Sequence, residues 1–85
     1  MAKMRLSLRF QKGLVQKPII YQLGYDFKVV TNIRRANIDE EIGWMILELD
    51  GEMEEIERAM ENLDKQGVKV DPIEGDVVEG GNWNG

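Results

Sequence analysis

FKVVTNIRRANIDEEIGWMILEL, residues 27–49, is the stretch whose reading decides the fold. It reads as two long strands joined by a polar turn. Phe27, Val29, Thr31 and Ile33 share one parity, and Val30, Asn32 and Arg34 share the other. Ala36 and Ile38 continue the apolar side on the parity opposite to Ile33. Such a phase change predicts a bulge near Arg34-Arg35, because one extra residue flips every later side chain to the other face. Asn37 to Ile42 is acidic and polar and predicts the hairpin tip. Beyond it, Met45, Leu47 and Leu49 face one way while Trp44, Ile46 and Glu48 face the other. A strand apolar on both faces reads as a central one whose second face is also covered.

Outward from this hairpin the chain supplies the rest of a single core. Met4, Leu6, Leu8 and Phe10 alternate with Arg5, Ser7, Arg9 and Gln11, the period of a half-buried strand. Pro18 stands where the first helical residue is expected, since its missing N–H costs nothing there. Ile19, Ile20, Leu23 and Phe27 follow at helical spacing, and Gly24 weakens a helix that is expected to end near Asp26. After Asp50-Gly51, residues Met53, Ile56, Met60 and Leu63 step by three and four along one side of a second helix. Glu52, Glu54 and Glu55 suit its first turn, Lys65 its last, and Gly67 stops it. A final strand is expected from Val68 to about Pro72. Residues 1–74 are read as one domain, and 75–85, rich in glycine, asparagine and acids, as a flexible C-terminal tail.

Strand, helix, strand, strand, helix, strand is two split βαβ units. With right-handed crossovers these give an α+β fold, a four-stranded antiparallel sheet with two helices on one face. This is the ferredoxin-like or ACT-like βαββαβ architecture, with the third strand central and the second at an edge. Its open sheet face is expected to carry Arg5, Ser7, Arg9, Asn32, Arg34, Trp44, Ile46 and Lys69.

Composition removes several chemistries. The 85 residues contain no cysteine and no histidine, so disulfides, thiolate metal sites and the commonest general base are all absent. Ser7 has no base to activate it, and the glutamates of the second helix read as solvated charge. Asp39, Glu40 and Glu41 lack the glycine-shaped loop of a cation site, and no glycine-rich loop joins a strand to a helix. Neither an enzyme, a metal site nor a cofactor is expected. A net charge of −5, and a first strand offering Ser7 where RNA-binding sheets present an aromatic, argue against nucleic acid. No apolar run is long enough to span a membrane, and the first ten residues do not read as a signal peptide. A cytoplasmic setting without membrane insertion is therefore expected. So short a chain has a narrow stability margin, and self-association is the remaining support, so a homodimer is expected.

Two features invite a partner. Trp44 and Ile46, with Val30 beside them, put apolar surface on the open face, to be covered by a second subunit, a small apolar ligand, or the chain's own terminus or hairpin tip. Asn32 either closes a local turn or bulge hydrogen bond or grips an amino-acid backbone, since an amide both donates and accepts.

The runs Pro18-Ile19-Ile20, Phe27 to Ile33, Ala36-Asn37-Ile38 and Gly43 before an apolar strand resemble the NIL domain family. So do Leu49-Asp50-Gly51-Glu52 and Leu63 to Val70, and the resemblance covers about residues 4 to 73. It implies an ACT-like fold and the role of a regulatory domain of methionine-importer ATPases, in which paired domains bind methionine. It also implies ligand contacts at Asn32, Ile33, Ile38 and Met45. The motif here reads Asn32-Ile33-Arg34, with arginine where the family has leucine. Other relatives carry this domain ahead of a ferredoxin segment, whereas no cysteine follows here.

The expectation is thus a free-standing regulatory domain that senses an amino acid such as L-methionine at a dimer interface. The alternative is a protein–protein interaction module of sulfur metabolism, accessory to a ferredoxin-type or homocysteine-forming system, with no bound metabolite. Under either, the protein partner belongs to sulfur metabolism or methionine transport.

Overall fold

A computed structural model describes residues 2–11, 13–14, 17–39 and 41–79, and for 74–79 the backbone path alone. The elements follow in the order β1 (Ala2–Phe10), α1 (Ile19–Asp26), β2 (Val29–Ile38), β3 (Gly43–Gly51), α2 (Met53–Lys65) and β4 (Lys69–Glu79). All strand pairs are antiparallel, in the order β2-β3-β1-β4. The ferredoxin-like reading holds, with β3 inside the sheet and β2 at its edge.

One face of the sheet makes the core. Leu6, Leu8 and Phe10 of β1 and Met45, Leu47 and Leu49 of β3 pack beneath Ile19 and Leu23 of α1 and Ile56, Ala59 and Leu63 of α2. Ala59 adds a small contact that hydropathy periodicity alone does not single out. α1 ends at Asp26 as expected, but Pro18 is its N-cap, not its first helical residue. Gly67 closes α2 at φ +93°, a conformation that costs glycine little. It frees the N–H of Val68 to bond the Leu63 carbonyl at 3.0 Å.

The register of β2 against β3 shifts between Ile33 and Arg35, so the bulge lies where the phase change puts it. Arg35 stands opposite Ile46 on the open face, and Arg34 is the extra residue of the bulge. β4 also runs further than the Val68–Pro72 alternation suggests. After an irregularity opposite Met4–Leu6 it pairs again, Val77 with Met4 and Glu79 with Ala2. Residues 75–79 of the expected tail thus continue a strand, and 80–85, with Trp83, lie outside the described residues.

Two carboxylates fasten the edge strand. The Asp39 side chain accepts the N–H groups of Glu41 and Ile42, each at 2.8 Å, and so shapes the hairpin tip. Glu55 on α2 accepts the Lys28 N–H at 3.0 Å and an Arg58 guanidinium N–H at 2.8 Å. The backbone bonds hold the Asp39 carboxyl below its ordinary 3.8, and the Lys28 N–H, helped by Arg58, holds that of Glu55 below 4.5. A lowered folded pKa contributes stability that is complete above the ordinary value and is lost as pH falls through the folded one. Glu55→Gln is therefore expected to lower the unfolding midpoint at neutral pH, and the gap to the parent should close in strong acid. Denaturant titrations of both proteins across that range check this.

Candidate apolar cleft beside the edge strand

The two crossover helices do not cover the sheet equally. The eight residues of α1 extend about 12 Å, whereas the ten of β2 extend about 33 Å. The part of the β2–β3 hairpin nearest its tip is left uncovered on the core side. There a cleft of about 160 Å³ opens between the start of α1 and the hairpin. Its walls are Phe10, Leu14, Pro18, Ile19, Ile20, Tyr21, Ile33, Ile38 and Met45, with Lys17 the one charged residue on the lining among the described residues. For scale, an apolar cavity of about 150 Å³ takes a benzene molecule.

Three of the four residues proposed for a ligand, Ile33, Ile38 and Met45, meet in this cleft. Ile33 and Ile38 are 51% and 48% exposed although both point to the core side of the sheet, so their apolar surface remains available. The bulge makes this possible: without the extra Arg34, Ile38 would point to the opposite face from Ile33. Asn32 is not among the lining residues. It pairs with Glu48, its side chain is on the open face of the sheet, and it is exposed.

The three residues proposed for an interface also lie on the open face. Trp44 and Ile46 are half-buried and Val30 is 66% exposed. Around them run two cross-strand ion pairs, Arg5–Glu48 at 3.2 Å and Lys3–Asp50 at 3.9 Å. Glu48 is the one buried charged residue among the described residues, at 9% exposure, and its carboxylate accepts an N–H of Arg5.

The opposite wall, Leu14 together with Lys17 to Tyr21, is absent from the sequence-based site. Pro18-Ile19-Ile20 carries the signal, a proline and two isoleucines at a helix start, but periodicity assigns such residues to the core. Only the shortness of α1 separates lining from core. Among the described residues no group of three or more acidic side chains is arranged to hold a metal ion, and no helix is long and apolar enough to cross a membrane.

Comparison with known proteins bears on the same unit. No curated protein matches the chain. Among solved structures, the C-terminal domain of an ABC transporter ATP-binding protein from Enterococcus faecalis superposes with a TM-score of 0.72 at 27% identity. The alignment covers 84% of this chain and 83% of that one. The family model described as NIL domain matches residues 4–72, from within β1 to within β4. The chain therefore belongs to the NIL domain family.

Proposed function

We propose that this domain senses a small amino acid with an apolar side chain, L-methionine being the first candidate, and reports its presence to a transport or sulfur-metabolism protein in the cytoplasm. The observation that carries the reading is the cleft: Ile33, Ile38 and Met45 form an apolar wall facing α1, with Lys17 on the lining. Its volume suits one unbranched side chain. Lys17 supplies a cation for a carboxylate, and Asn32 supplies an amide that both donates and accepts. Because β2 is an edge strand, a ligand seated over its outer side passes from Ile33 in the cleft to Asn32 on the other face. The domain acts as a homodimer, and Asn32, on the face away from the helices, brings the ligand close to the subunit boundary. Ligand that favours one dimer arrangement shifts the population by its differential affinity.

Asn32→Ala is expected to weaken binding by about 1–3 kcal/mol, since it removes one anchoring hydrogen bond. A ¹⁵N–¹H NMR titration with L-methionine, beside leucine and D-methionine, reads this directly. Saturable shifts at Ile33, Ile38 and Met45, selective for one L-amino acid and weakened in the variant, are the expected result. No shifts at millimolar ligand, or equal affinity in the variant, would overturn the assignment.

A further inference from the structure

The open face of the sheet has a charge pattern that its own registers make explicit. Taken across the strands in the order β2, β3, β1, β4, the row nearest the hairpin tip is Asn37, Trp44, Arg9, Lys69. The next row is Arg35, Ile46, Ser7, Asp71. Asn32, Glu48 and Arg5 form the third, and Val30, Asp50 and Lys3 stand opposite one another in the fourth. Arg9, Arg35 and Lys69 are exposed and make no ion pair with a described residue.

We infer that two copies of the chain stack open face to open face, about a two-fold axis that runs along the strands between β1 and β3. This deepens the homodimer reading above and rests on it. Such an axis keeps each row level and exchanges β3 with β1 and β2 with β4. Trp44 then meets the partner's Arg9 and Arg35 meets the partner's Asp71. Glu48 meets the partner's Arg5, and Asp50 meets the partner's Lys3. In the middle Ile46 lies against the partner's Ser7. Each acid named in these rows lands on a base, and a cation lands on an aromatic face, a favourable pairing.

Other arrangements fail the same comparison. A two-fold axis across the strands puts Arg9 against the partner's Lys3 and Trp44 against its Asp50. Edge-to-edge pairing is blunted on both sides, since β2 is bulged at Arg34 and β4 is irregular opposite Met4–Leu6. The area is adequate but not generous. Four strands about 4.8 Å apart, over some eight residues of about 3.4 Å, give a face of roughly 19 by 27 Å. Two such faces together bury about the ~1,000 Å² that a specific interface needs. The dimer is therefore concentration-dependent and open to bias by a ligand at its margin. In the stack Asn32 borders the interface, while the cleft opens on the helix side and stays accessible.

Arg35 and Asp71 supply the test. Within one copy they stand on opposite edges of the sheet, three strand spacings or about 14 Å apart, too far to pair. Arg35→Asp and Asp71→Arg are each expected to weaken dimerisation about tenfold in sedimentation velocity, and the double variant to restore it. Failure of the double variant to recover overturns this geometry. The absence of cysteine allows a clean second readout. A nitroxide on Ser7→Cys should broaden the amides of Arg9 and Ile46 in an isotope-labelled parent copy mixed with it. Broadening confined to the outer edge of β2 overturns the stack but leaves a dimer. A monomeric mass at every concentration overturns the dimer itself. A monomer whose open-face amides shift with a single-stranded oligonucleotide would give the face to nucleic acid instead.

Discussion

Leu47→Ala is expected to destabilise the domain by about 3–4 kcal/mol, the middle of the range for a leucine truncated in a core. Leu47 is fully buried at the centre of β3, paired with Leu6 on one side and Ile33 on the other. Both neighbouring strands are fixed by their own ladders, so the space left by three carbons and their hydrogens is not closed by collapse. A domain of this size has a total stability near the low end of the usual ~5–15 kcal/mol, so most of its margin is lost. Ile33→Ala gives the contrast. It stands opposite Leu47 in the same row, but it is half-exposed on the cleft wall, and its truncation should cost less than about 1.5 kcal/mol. Denaturant midpoints of the two variants with unchanged slopes check both values. Equal losses would mean that the cleft is closed in solution and that Ile33 is a core residue.

That contrast also marks how far the sequence is legible. Strand parity in β1 and β3 is strict because each buries alternate residues against helices, so Leu6, Leu8, Met45, Leu47 and Leu49 are assigned to the core by the sequence alone. The bulge could be read as well, because a polar-to-apolar phase change has no other cheap explanation in an edge strand. What could not be read is which apolar residues of the core face remain uncovered. Ile33 and Leu47 carry the same signal, and they differ because α1 stops short of the hairpin tip. The length of a helix can be read from Gly24 and Asp26, but its reach over the sheet depends on where it begins, and the sequence before Pro18 has little periodicity. Asn32 shows the other limit. Its place in the motif is legible from the family resemblance, and strand alternation puts it on the opposite face of β2 from Ile33 and the cleft.

Gly51→Ala is the other large effect, expected at about 2–3 kcal/mol for overpacking at a rigid point. A Cβ on Gly51 would stand 2.7 Å from the Lys28 carbonyl oxygen, and 3.4 and 3.5 Å from the Cγ1 and Cα of Val29. The nearest atom is backbone, so no side-chain rotation relieves it. Gly51 pairs with Ala2 on one side and Val29 on the other, and it is buried where the sheet passes into α2. The Lys28 residue in the way is also fixed, by its N–H bond to Glu55. Relief would require β2 to move away from β3 at the end where Glu55 holds it, so the variant should also weaken that bond and protect the Lys28 amide less from hydrogen exchange. Gly24→Ala serves as the control. Its Cβ would meet only the Thr31 side chain at 3.7 Å, an ordinary contact, and alanine favours a helix by up to about 1 kcal/mol. Thermal or denaturant unfolding should therefore move in opposite directions for the two substitutions. A loss in both would mean that α1 sits closer to β2 than this packing allows, and that the cleft beyond its end is correspondingly narrower.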